Sequence, residues 1–428
     1  MTTPVRRHRL SSAQLTEIVW GRPGPEVIRA LYAADVSRHR LLAAHALRRH
    51  AGPAENVVTA LAVLDEAQRR DPAGTADVLR TGWLGTWAAN LLDMPGRGAE
   101  AANRLGALAA VTALRAGLEA DLMVGATAGQ LHLPGLGTLS TALPDGSTVA
   151  LRVRDGLAVQ LAEGPLQLPA PAIHGRWSPI RTLNVAGFQL MIDDQDPYRD
   201  CFSMPLGAPL SDEEFGRWRR VIGEACALLA GFAPAVAEQM RLGVRVVVPL
   251  APTPHGAEAS VSCSDALGVI ATTTPVDSMT FAVTLVHEWS HSVLNGLLGF
   301  VGLHHLEQPG FYFAPWRPDP RPLSGILHGT FAFLAVAETW QALRAADSGG
   351  KRAEFEFALR RRQLAEVMAY LPAAAGLSPQ GRRFVAILKR RCAALFETPV
   401  RREADDDAVA AVAAQKAIWI RRHGGDSP

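Results

Sequence analysis

The spacing of apolar positions changes twice along the chain. Up to about residue 125, apolar side chains return every three or four positions, the period of a helix with one buried face. Leu15, Ile18 and Val19 open the first segment, with Ser12 as its expected N-cap. Val27, Leu31, Leu41, Leu42 and Leu47 continue the pattern between Arg- and His-rich faces. Further helices are predicted over 57–69, 75–92 and 99–124, with breaks at Gly52-Pro53 and Pro95-Gly96. His39, His45 and His50 share no metal-ligand spacing and read as exposed surface.

Alternation of period two takes over from about residue 126. Residues 148–154 and 157–161 read as strands joined by Asp155-Gly156, a strong hairpin signal, and 188–193 reads as another strand. Asp193, Asp194 and Asp196 follow without the spacing of a calcium loop, and Pro197 ends any helix, so a capped turn is expected. Helical spacing returns at Ser211, which forms a capping box with Glu214. Strands over 244–250 and 268–274 then lead into an apolar helix. Later helices are expected over 353–371 and 379–396, with Arg360 to Arg362 and Arg382-Arg383 facing outward and the tail beyond Arg401 frayed. The pattern predicts an α+β, mostly helical chain in three regions. These are a helical region 1–125, a small antiparallel β region 126–205, and a catalytic metal-binding region 206–428.

Composition narrows the classes. The chain has 428 residues, 48% hydrophobic and 20% charged, ordinary for a globular enzyme with a sizeable core. A net charge of +2 gives no reason to expect nucleic acid or a membrane as a partner. The basic N-terminus lacks an apolar core of the export type, and no apolar run is long enough to span a bilayer. Cys201, Cys226, Cys263 and Cys392 form no C-x-x-C pair, which argues against a thiolate cluster and fits a reducing, cytoplasmic setting. Nothing in the pattern sets an oligomeric state.

Chemistry concentrates at His287-Glu288-Trp289-Ser290-His291. On a helix the two histidines stand one turn apart on one face and can converge on one metal ion. Glu288 lies beside the first ligand. The next apolar helix carries His328 and Glu338, either of which could complete a ligand set. Ten residues separate them, roughly 280° around a helix, so both are not expected at one ion. Between the two helices lies a proline-rich loop with Arg317 and Arg321, suited to gripping a carboxylate bidentately.

Three readings fit these residues. In a gluzincin-like zinc peptidase, Glu288 is the general base and Glu338 a plausible third ligand. Leu297 stands where the extended zinc-protease motif has its third histidine. In a non-haem iron(II) oxygenase, His287 and His291 join His328 or Glu338, and an arginine holds the cosubstrate's distal carboxylate. The third reading is an inactive peptide-binding protein.

The chain resembles the actinobacterial HExxH motif-domain proteins associated with ribosomally made, post-translationally modified peptides. The resemblance is carried by His287-Glu-Trp-Ser-His291, by Ala314-Pro-Trp-Arg-Pro-Asp-Pro-Arg-Pro-Leu323 and by Leu327-His328-Gly-Thr-Phe-Ala-Phe333. Asp194-Gln-Asp-Pro-Tyr-Arg199 and the opening His8-Arg-Leu-Ser11 are also similar. The resemblance implies an iron(II)- and 2-oxoglutarate-dependent hydroxylase acting on a side-chain β-carbon of a precursor peptide. It implies His287, His291 and His328 as metal ligands. Arg321, then Arg317, would hold 2-oxoglutarate, and Glu288 would orient groups rather than act as a base.

Overall fold

The computed structural model describes residues 7–50, 54–93, 98–168, 175–254, 256–305, 310–346 and 349–424. The expected breaks at Gly52-Pro53 and Pro95-Gly96 lie outside them. The fold is α+β and mostly helical. The helical start comprises α1 (Ser12–Val19), α2 (Pro25–His50), α3 (Glu55–Arg70), α4 (Pro72–Thr81), α5 (Leu84–Asp93) and α6 (Gly98–Ala116). Ser11, not Ser12, caps α1: its side chain accepts from the Gln14 backbone, and Gln14 returns a bond to the Ser11 N–H. The helix expected over 75–92 is broken at Gly82 and Trp83, where Trp83 takes a φ of 57°. The indole nitrogen of Trp83 then reaches Asp193 at 2.8 Å.

The strands that follow among the described residues are β1 (Ala120–Gly125), β2 (Gln130–Leu133), β3 (Gly137–Ser140), β4 (Thr148–Val153), β5 (Leu157–Leu161), β6 (Gly164–Leu168), β7 (Trp177–Pro179), β8 (Arg181–Val185) and β9 (Phe188–Ile192). β1, expected to be the end of a helix, pairs with β4 along its whole length. The order β1-β4-β5-β6 makes one antiparallel sheet and β2-β3-β7 another. Both meet α6, and β1 also meets α3, in an apolar core shared with α2 and α5 that includes Leu105, Leu108, Leu151 and Val159.

The remaining elements are α7 (Asp212–Phe232), α8 (Pro234–Gly243), β10 (Val246–Pro249), β11 (Ser260–Cys263), β12 (Ala266–Thr272), α9 (Ser278–Leu298), α10 (Leu323–Ala345), α11 (Gly350–Tyr370), α12 (Pro379–Phe396) and α13 (Arg402–His423). β8 and β9 join β10, β11 and β12 in a mixed sheet of order β11-β12-β10-β9-β8. β10 runs parallel to both β9 and β12, while β11 is an antiparallel edge strand. Every residue of β10 and β12 is buried, as a strand covered on both faces requires. Helices α7, α8 and α9 pack against one face, with α10 outside them on α9; Trp83 and Phe202 help cover the other.

The acidic segment after β9 is a capped turn, as expected. Asp193 accepts from Trp83 and from the backbone of Gln195 and Asp196. Asp194 meets Arg181 at 2.5 Å, and Asp196 meets Arg104 at 2.7 Å. The tail does not fray before His423. Its helix α13 buries Ala404, Ala408, Val412 and Trp419 against α11 and its surroundings. Helical periodicity within 402–423 was present but masked by the run of aspartates.

Candidate metal centre

α9 starts where Asp277 accepts a bond from the Thr280 N–H, and it runs beneath β11 and β12. Trp289, between the motif histidines, anchors the opposite side of the helix. It packs so closely on the end of α8 that a Cβ on Gly243 would lie 2.0 Å from the indole. This fixes the rotation of α9 and turns His287 and His291 toward α10.

The two motif imidazoles meet with their Nε2 atoms 3.1 Å apart and their rings nearly perpendicular, centroids 4.7 Å apart. Two nitrogens bound to one ion at about 2.1 Å stand roughly 3.0 to 3.4 Å apart, and the ring centroids roughly 4.5 to 5.5 Å apart. The pair already has the spacing of neighbouring ligands. His328, from the first turns of α10, brings its ring centroid to 5.6 Å from that of His291. Among the described residues no group of three or more His, Cys, Asp or Glu is gathered tightly enough to hold a metal as it stands. His328 therefore stands beside His291, at an interplanar angle of 31°, as the next imidazole of the pocket and not as a formed third ligand.

All three imidazoles are held neutral. Burial lowers His287 to about 4, helped by the charge of Arg360, and lowers His328 to about 4, helped by His304 and Arg321. His291 is pushed well below the usual range by burial and by its two histidine neighbours. Neutral imidazole is the ligand form.

Glu338 does not share this site. It lies on another face of α10, where Arg391 of α12 donates from Nε at 2.6 Å and closes a second, shorter contact. Glu288 is buried, and Ser260 of β11 donates to its carboxylate at 2.7 Å. Burial raises its pKa against the hydrogen bonds from Ser260 and Ser262. The glutamate therefore ties α9 to the edge strand β11.

The proline-rich loop forms a lid over α10. Tyr312 and Arg321 exchange two backbone hydrogen bonds that close it. Trp316 lies across Gly329, where a Cβ would approach its ring to 2.4 Å, and stacks on Phe333 at 4.8 Å. Phe333 in turn meets the His287 ring edge-on at 5.0 Å. Glycine after His328 thus lets an indole close beside the third histidine. α11 and α13 brace the loop: Gln363 donates to the Pro315 carbonyl, Tyr370 to that of Phe313, and Trp419 packs on Phe313.

The arginines divide. Arg317 is half exposed and bonds Asp319 at 2.6 Å. Arg321 shares Asp319 at 3.3 Å and lies near enough to His328 to lower its pKa. Arg360, expected to face outward, turns inward instead. Its guanidinium lies 5.2 Å from the Phe333 ring and donates to Glu356 and Gln363, and its buried Nε–H has no partner among the described residues. The spacing carries the signal: Arg360 lies three residues after buried Phe357 and four before buried Leu364, at the border of the buried face. The Arg360-Arg361-Arg362 run hid that register.

No family model matches the chain, and no curated protein matches it.

Proposed function

We propose that the chain is an iron(II)- and 2-oxoglutarate-dependent hydroxylase that places a hydroxyl on a side-chain β-carbon of a ribosomally made precursor peptide in the cytoplasm. The observation that carries the reading is a pair of neutral imidazoles 3.1 Å apart with a third ring 5.6 Å from one of them, beside an aromatic wall backed by the partly buried guanidinium of Arg360. His287, His291 and His328 would hold the metal. Iron, when bound there, supplies the activation of oxygen that a C–H hydroxylation needs.

The chain's own residues do the positioning. A three-histidine set adds no negative charge, so an anionic 2-oxo acid is drawn to the site rather than repelled. Arg360 is the cation best placed to take its distal carboxylate, because its Nε–H is desolvated and free to donate. Arg321 is second, at the mouth beside His328. Trp316 and Phe333 exclude water from this side of the site. The free edge of β11, next to α9, offers backbone groups to an extended peptide.

That same edge strand favours the second reading, a zinc peptidase with Glu288 as base. The bond from Ser260 to Glu288 and the pairing of Glu338 with Arg391 weigh against it. The deciding experiment supplies iron(II), oxygen and 2-oxoglutarate to protein purified anaerobically, with its peptide present. Succinate and a peptide heavier by one oxygen are the expected products. Peptide-bond cleavage with zinc and without 2-oxoglutarate overturns the proposal.

A further inference from the structure

α2 packs on α5 and α3 packs on α6, but α2 and α3 make little contact with each other. Between them runs a groove of about 1350 Å³. Its floor is apolar and buried, with Leu47, Leu79 and Leu105. Its walls are apolar and open: Leu41 is 71% exposed, Val58 54% and Leu61 45%. These are three of the chain's most exposed large apolar side chains, gathered in one place, and such patches mark interaction sites.

The rim has one sign. Arg7, Arg40 and Arg48 line it, with Arg38 engaged by Asp35 and Asp265, and the single lining carboxylate, Asp65, is paired with Arg69. A second copy docking by the same face would set two basic rims against each other. The groove wall on α2 runs from Ala34 to Arg48, about 21 Å at 1.5 Å per residue, enough for a helix of three to four turns. One end is lined by Gly299 and Phe300, which follow α9 directly. His291 lies eight residues before Gly299, about 12 Å along the helix axis. A segment held in the groove would keep the chain attached to it close to the metal-site helix.

We propose that this groove docks an acidic, amphipathic helical segment of the peptide substrate, separate from the residue that is modified. The inference rests on the peptide-modifying reading for its substrate class. Apolar positions at i, i+3, i+4 and i+7 of the segment enter between α2 and α3, and flanking Glu or Asp side chains meet the arginine rim. Docking raises the local concentration of the modified segment at the site, so the site itself need recognise few residues.

The test uses the full chain and a fluorescein-labelled, helix-forming 16-residue peptide with a Leu face and Glu flanks. Its partner probe carries Lys in place of Glu. Fluorescence anisotropy should show the Glu peptide binding at least about tenfold more tightly than the Lys peptide. Leu61→Glu and Val58→Glu, both at open positions, should each weaken the Glu peptide by about tenfold or more. They should leave peptide-independent conversion of 2-oxoglutarate to succinate, run with ascorbate as the reductant in place of the peptide, unchanged, while His291→Ala should lose that conversion and keep peptide binding. Equal binding of the two peptides, or insensitivity to Leu61→Glu, overturns the groove assignment. So does a wild-type dimer that Leu61→Glu dissociates, or binding to phosphatidylglycerol vesicles in place of the peptide. Peptide binding without any 2-oxoglutarate turnover overturns the oxygenase reading and leaves the groove standing.

Discussion

Two helix pairs in this molecule leave opposite things unfinished. α9 and α10 close tightly, and what they enclose is polar: three neutral imidazoles, two of them 3.1 Å apart. α2 and α3 stay apart, and what they leave open is apolar: Leu41, Val58 and Leu61. Buried polar atoms need partners, and exposed apolar groups need cover. On the proposed reading one pair takes an ion and a charged small molecule, and the other a peptide segment. α2 also supplies a contrast within a single residue type. Its His39, expected to be exposed, is buried, with Arg38 at 3.0 Å and Asp35 at 3.5 Å as partners. The protein completes the surroundings of His39 from its own side chains; His287 and His291 have chiefly each other.

The sharpest way to break the comparison is at His291. His291→Ala should reduce affinity for iron(II) or zinc by more than about 100-fold and abolish turnover, read by calorimetric titration and succinate release. His39→Ala should leave metal affinity unchanged. Retained metal affinity in the His291 variant would show that the close pair is only a buried contact.

The His39 environment predicts a pH effect on stability. Burial lowers His39 to about 4 and raises Asp35 to about 6. The depressed histidine contributes stability that is lost as pH falls from about 6.5 to 4, because the unfolded chain binds the proton first. The raised carboxyl acts oppositely: its contribution is full below about 4 and is lost as pH rises through 6. The two nearly cancel between pH 4 and 6. Asp35→Asn should unmask a stability that rises with pH across this window, and His39→Gln one that falls, each by roughly 3 kcal/mol. Urea denaturation at pH 4.5 and 6.5 measures both, and parallel pH profiles for the two variants would refute the opposition.

The arginines give a smaller contrast. Arg360→Ala should raise the KM for 2-oxoglutarate by roughly 10- to 100-fold, the range of a lost charge-assisted bond. Arg317→Ala should change it by less than about threefold, because its guanidinium is exposed and engaged with Asp319. Steady-state kinetics would reverse the assignment if Arg317 proved the larger. The smallest expected effect lies in the groove: Leu61→Ser should alter unfolding free energy by no more than about 0.5 kcal/mol. Leu294→Ala, fully buried on α9, should cost about 2–5 kcal/mol by the same urea titration. A large loss from Leu61→Ser would mean that the groove wall is core after all.

Much of the frame was legible from local patterns. The Ser211–Glu214 capping box, the Asp155-Gly156 hairpin and the apolar run around His287 depend on neighbours a few residues away, and each formed as read. The misses have a common cause. Trp83 breaks a continuous helical pattern because its indole reaches Asp193, 110 residues on. β1 is a strand because β4 pairs with it, although its sequence continues a helix. α13 is ordered because α11 gives its apolar stripe somewhere to pack.

The site divides in the same way. His287 and His291 stand one turn apart by helix geometry alone, so their pairing was set by the sequence before any tertiary contact formed. The packing of α9 on α10 decided that His328 lies beside His291, and α12 decided that Glu338 does not, by placing Arg391 against it. The fold of α11 beneath the proline-rich loop turned Arg360 inward and left Arg317 in solvent. Spacing fixes which side chains share a face, because covalent geometry does not depend on the rest of the chain. What that face meets depends on elements far away in sequence, and no local pattern carries that information.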